Sequence, residues 1–84
     1  MMHLWPEGHP IEVASDRLIT PQQIVWQRQA HPVATIANRW RYRTDWWQTQ
    51  TRREYFKLAT TTGLLLVIFY DWQGQAWYLQ GLYD

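Results

Sequence analysis

Between Asn38 and Trp47 the chain reads N-R-W-R-Y-R-T-D-W-W, with arginine at every second position (Arg39, Arg41, Arg43) and Trp40 and Tyr42 between them. Successive side chains of a β-strand point to opposite faces, so an extended chain here lines one side with three guanidinium groups. Same-face residues repeat at ~6.6 Å along a strand, a spacing suited to serial contacts with an extended phosphate chain. Exposed aromatics beside them would add base stacking worth about 1–3 kcal/mol per base. Trp40 and Tyr42 continue the apolar parity of Ala34 and Ile36, so they are expected to face the core and leave the arginines on the surface. Arg52, Arg53, Lys57 and Tyr55 follow closely and join the ladder as candidate nucleic-acid contacts. Trp46 and Trp47 are adjacent, so in extended chain they point opposite ways. One belongs to the core, and the other is the kind of exposed tryptophan that anchors an interaction surface. The competing reading is a solvated face whose arginines pair with Asp45, Glu54 or Glu12 and cover apolar surface with their stems.

The charge distribution gives the first reading its weight. The net charge is only +1. Residues 39–57 carry six basic side chains against Asp45 and Glu54, a local +4, while the rest of the chain sums to −3. An anionic partner responds to that concentration rather than to the total.

Other chemistry is not supported by spacing. His3, His9 and His31 are scattered and read as surface histidines rather than a metal set. Asp45, Glu54, Asp71 and Asp84 show no pairing suited to acid–base work or Mg²⁺. A Gly-rich phosphate loop, a nucleophile elbow and a Cys/His arrangement are all missing from the sequence. The expectation is a non-enzyme that needs no cofactor. The chain has no cysteine, which suits a reducing compartment. Its N-terminus does not read as a signal peptide, and its longest apolar run, Leu64 to Tyr70, is far short of the roughly 20 residues that span a bilayer. A cytoplasmic location away from the membrane is expected.

The elements that must position these residues are short strands. At 84 residues the chain is one domain with little core to spare. Seven Trp, five Tyr and two Phe enlarge that core, because each aromatic buries on the order of 150–250 Å². Residues 1–10 contain Pro6, Gly8 and Pro10 without periodicity and read as an irregular lead-in, with residues 11–84 as the β domain. Strands are expected over 11–14 and 23–28. A tight connection at Gln29-Ala30 then leads into a long strand from His31 to Arg43. Further strands follow over 53–60, 64–70 and 75–83. Phe56 and Leu58 alternate against Tyr55 and Lys57, and the run 64–70 is apolar on both parities, as for a strand buried on both faces. Asp71-Trp72-Gln73-Gly74 reads as a hairpin turn. Trp26, Trp40 and Trp77 are assigned to the core. The predicted fold is all-β, a single small antiparallel sheet of five or six strands, curled or closed as an SH3-like or OB-like barrel that hides its edges.

The ordered set Trp40, Trp46, Trp47, Arg53, Tyr55, Phe56, Gly63, Leu64, Leu65, Trp77, Tyr78, Tyr83 and Asp84 resembles a small bacterial domain of the DUF6504 type. That domain is similar to the C-terminal tail of ImuB-like homologues of Y-family DNA polymerases. The resemblance covers Gln23 to Asp84. It implies a non-catalytic accessory role in DNA repair or translesion synthesis, without polymerase activity. Two functions of different class therefore stand. One is a module that binds nucleic acid, single-stranded DNA in preference. The other is an adaptor docking on a polymerase or replication protein through Trp46 and Trp47. A scaffold with a small-molecule pocket is a distant third. The chain is expected to be a monomer or a weak homodimer.

Overall fold

The structure is a computed structural model and describes residues 2–45 and 50–83. Seven strands are described: β1 (Met2–Pro10), β2 (Glu12–Ser15), β3 (Pro21–Trp26), β4 (Gln29–Asp45), β5 (Gln50–Thr60), β6 (Leu65–Asp71) and β7 (Ala76–Tyr83). They form one antiparallel sheet in the order β1-β7-β6-β5-β4-β3-β2. From β2 onward the sheet is a meander, as expected from turns at short intervals. The N-terminal segment is not an irregular lead-in: it is a seventh strand, placed beside β7 at the far edge.

That placement explains the curl. β1 and β2 lie at opposite edges of the sheet but are joined through Ile11 alone. One residue spans only about 3.5 Å, so the two edges must approach each other at this end. Ile11 donates its N–H to the carbonyl of Trp77 at 3.2 Å, and Trp5 meets Trp26 edge-on at 5.7 Å. The result is a curled half-barrel.

The hairpin from β3 to β4 turns at Gln27 and Arg28, two residues earlier than expected. Both take positive φ, 52° and 65°, the backbone of a mirror-image turn whose twist matches the strands it joins. The resulting register sets Ile24 opposite His31, and both are buried. His31 is thus not a surface histidine: its Nδ1 lies 2.6 Å from the Thr62 hydroxyl.

Inside the curl, Ile24, Phe56, Leu58, Leu66, Ile68 and Leu79 form the main core. Trp5, Trp26 and Trp77 are half-buried against it. β6 lies between β5 and β7 and buries side chains on both faces, as its unbroken apolar run predicts. Leu66 and Ile68 point inward, and Val67 and Phe69 join Tyr55 in a second cluster outside. Part of β1, Trp5 to Gly8, bulges out between the pairs Leu4↔Gly81 and His9↔Leu79. Gly8, at φ +84°, lies so close to Phe69 and Tyr78 that a Cβ there would sit 2.9 Å from each.

β4 is the longest strand and serves two neighbours unequally. β3 pairs with it only from Gln29 to Pro32, whereas β5 follows it from Val33 to Asp45. Among the described residues, the side of β4 away from β5 is therefore an open sheet edge beyond Val33. No described helix is long and apolar enough to cross a membrane.

Candidate nucleic-acid interface

Two irregularities in β4, between Val33 and Thr35 and between Ile36 and Asn38, decide where its side chains point. Each inserts an extra residue on β4 and reverses the alternation that follows. Ile36 opposes Leu58 on the core side. Beyond the second bulge it is Arg39 that opposes Phe56, Arg41 that opposes Glu54 and Arg43 that opposes Arg52. The three arginines do share one face, as expected, but it is the inner face, where the sheet runs out past the core to its open mouth. Trp40 and Tyr42 are turned outward. They are 39% and 48% exposed, so neither belongs to the core. Trp40 lies flat on Tyr55, with ring centroids 5.3 Å apart and planes 6° from parallel.

Glu54 sits beneath the arginines with only 1% of its side chain exposed. Its Oε1 accepts hydrogen bonds from the Nε of Arg39 at 3.0 Å and the Nε of Arg41 at 3.1 Å. Its Oε2 is buried and has no partner among the described residues. Burial pushes this carboxyl up, but the hydrogen bonds and positive charges of Arg39 and Arg41 outweigh it and hold it below the ordinary value. Glu54 is therefore ionised at neutral pH and can only accept hydrogen bonds. The guanidinium of Arg39 also lies 5.0 Å from the centre of the Phe56 ring and donates from Nη2 to the Leu18 carbonyl at 3.3 Å. Arg41 is far more open, with 81% of its side chain exposed.

The Leu18 carbonyl belongs to the β2–β3 loop. Asp16 organises this loop, its Oδ1 accepting from the N–H of Leu18 at 2.8 Å and of Thr20 at 2.9 Å. The Thr20 N–H leads the causes that lower the Asp16 carboxyl below its ordinary value. Ile19 is held at φ 58°, a conformation in which a β-branched residue is strained and which is concentrated at functional loops.

The β6–β7 turn contributes Trp72. Its N–H donates to the Arg52 carbonyl at 3.0 Å, which ties the turn to β5. Its ring meets Tyr70 edge-on at 5.0 Å and stays 40% exposed. Trp72 and Arg41 form the shared wall of two cavities. One, of about 350 Å³, is lined by Arg41, Tyr42, Arg43, Arg52, Arg53 and Trp72. The other, of about 440 Å³, is lined by Arg17, Leu18, Ile19, Arg39, Arg41, Glu54 and Trp72.

The expected contacts thus divide. Arg39, Arg41, Arg43 and Arg52 share the inner face, and Arg53 reaches the first cavity from the other side. Arg53 also stands 4.6 Å over the Phe69 ring and donates to the Tyr55 hydroxyl at 3.3 Å. Tyr55 is buried in the outer cluster, and the Lys57 ammonium lies 5.1 Å from the Tyr83 ring, away from both cavities. Trp46 and Trp47 lie outside the described residues. Trp72 and Arg17 are additions, whereas the pairing of Arg39 and Arg41 with Glu54 is the one that the solvated-face reading expected. A tryptophan in a polar turn was the available signal for the first, since no strand alternation can bury it there. Among the described residues, no three of His, Cys, Asp and Glu are grouped to hold a metal ion. Neither a family model, nor a curated protein, nor a solved structure matches this chain.

Proposed function

We propose that this chain is a small non-catalytic module that binds single-stranded nucleic acid, DNA in preference, as an accessory to repair or translesion synthesis. The observation that carries the reading is the cavity lined, among the described residues, by four arginines, Tyr42 and Trp72. Arg43 stands directly opposite Arg52 on one face. Two guanidinium groups side by side on one face offer N–H donors that suit the oxygens of a phosphate between them. The exposed rings of Trp40, Tyr42 and Trp72 offer faces for unstacked bases, which a duplex keeps in its interior. The repair setting is the one implied by the sequence resemblance.

The test is fluorescence anisotropy of labelled single-stranded and duplex oligonucleotides over a range of salt, with the wild type and the double variant Arg43→Glu/Arg52→Glu. These positions leave the Glu54 pairs intact, and circular dichroism checks that the fold survives. The wild type should prefer single strands, with affinity falling steeply as salt rises. The double variant should bind at least about tenfold more weakly at low salt. Unchanged affinity in a folded double variant, or binding indifferent to salt, overturns the reading.

A further inference from the structure

We propose that the cavity above Glu54 seats one nucleobase and selects bases that carry an amino group over thymine, with Glu54 as the selecting residue. The inference rests on the nucleic-acid reading and adds to it a base preference. A buried polar atom without a partner is rare and calls for an explanation. Here Glu54 Oε1 is fully engaged by Arg39 and Arg41, while Oε2 of the same carboxylate is buried and unpartnered among the described residues. A carboxylate oxygen can be satisfied only by a donor, and every charged neighbour lining this cavity is an arginine (Arg17, Arg39, Arg41). A purely anionic ligand would satisfy those arginines and leave Oε2 as it is. A ligand that satisfies both sides of this cavity brings an N–H for Glu54 and acceptors for the guanidinium groups.

An amino-bearing base meets both needs. The exocyclic amino group of cytosine or adenine stands at the rim of the ring, next to a ring nitrogen acceptor, so one edge offers donor and acceptor side by side. Thymine has its single ring N–H between two carbonyl oxygens, and presenting it to Oε2 drives both carbonyls toward a carboxylate. The cavity volume of about 440 Å³ is within the ~300–1,000 Å³ of small-molecule sites. Trp72 supplies a partly exposed ring for the base to stack on, and the same Trp72 and Arg41 open onto the four-arginine cavity. One nucleotide can therefore place its base over Glu54 and its phosphate toward Arg43 and Arg52. The Arg17–Ile19 loop lines the same cavity and is tied to it by the Arg39 bond to the Leu18 carbonyl, at 3.3 Å.

The experiment compares labelled oligomers of deoxycytidine, deoxyadenosine and thymidine of one length. Two further oligomers have 2-pyrimidinone in place of cytosine or purine in place of adenine, which removes only the amino group. With the wild type, the amino-bearing oligomers should bind about tenfold more tightly than thymidine, the scale of one hydrogen bond to a charged acceptor. Their amino-free analogues should fall to the thymidine level. In Glu54→Gln, checked for folding by circular dichroism, the discrimination should disappear while salt-dependent binding persists. If that variant does not fold, the wild-type comparison with the analogues decides alone. Equal affinity for all five oligomers overturns the base preference and leaves the nucleic-acid reading standing. A preference that persists in folded Glu54→Gln overturns the role of Glu54. Failure to bind any oligomer overturns both readings.

Discussion

Glu54 shows how a single side chain can tie stability to pH. Its carboxyl is held below the ordinary value of 4.5 by Arg39 and Arg41 in spite of its burial. A group whose value is depressed on folding contributes stability that is fully present above its unfolded value and is lost as pH falls through the folded one. The contribution should therefore be intact at neutral pH and vanish in the acid range below that ordinary value. Urea denaturation from about pH 6 down to about pH 3 should show a falling midpoint in the wild type and a shallower fall in Glu54→Gln, which has no such proton to take up. At neutral pH the same substitution should cost about 1–2 kcal/mol, because Arg39 and Arg41 lose a charged acceptor but keep access to water. Parallel acid profiles for the two proteins would show that this carboxylate does not couple to folding. Asp16 acts in the same direction, with its carboxyl lowered chiefly by the Thr20 N–H.

Among the strands, β1 and β4 decide how the sheet closes and which face the arginines take. The arch of β1 closes over the outer cluster only because residue 8 has no side chain. Gly8→Ala brings a methyl group to 2.9 Å from Phe69 and Tyr78 at a backbone φ of +84°, so both space and conformation oppose it. The expected cost is about 2–3 kcal/mol, read as a lower thermal midpoint. Gly81→Ala meets first the flexible end of Met2, which can swing aside, and should cost clearly less. Equal midpoints for the two variants would mean that β1 does not close on the cluster.

The same two strands mark the limit of what the residues alone reveal. The alternation of Phe56 and Leu58 against Tyr55 and Lys57, and the doubly apolar β6, could be read directly because β5 and β6 pair with each other without a bulge. The grouping of Arg39, Arg41 and Arg43 could also be read, since no bulge falls among them. Which face they take could not. The extra residue between Ile36 and Asn38 leaves no mark in composition, and parity counted from Ala34 and Ile36 assigns Trp40 to the wrong side. β1 escaped notice because Pro6, Gly8 and Pro10 look like breakers. In the structure they belong to an edge strand and its bulge, where missing N–H groups and positive φ are tolerated. The cavities depend on Trp72 meeting Arg41 across 31 positions of sequence, a proximity set by topology alone.

For the molecule as a whole, the meander from β2 to β7 and the single-residue link at Ile11 draw the two outer strands together at one end, yet among the described residues β4 keeps an open edge beyond Val33. Exposed edges invite other strands to join them. If two copies met there about a two-fold axis, the antiparallel pairing would bring residues of the same face side by side. Arginine would then lie beside arginine wherever the two ladders overlap. The row that lines the cavities would then also act as a colloidal guard, keeping concentrated protein dispersed by refusing its own image. Replacing Arg41 and Arg43 by threonine, a good strand former without charge, removes that refusal while leaving the edge in place. Sedimentation velocity should find this variant associating at concentrations where the wild type stays monomeric. If both sediment as monomers, the edge is closed to partners by something other than its charge.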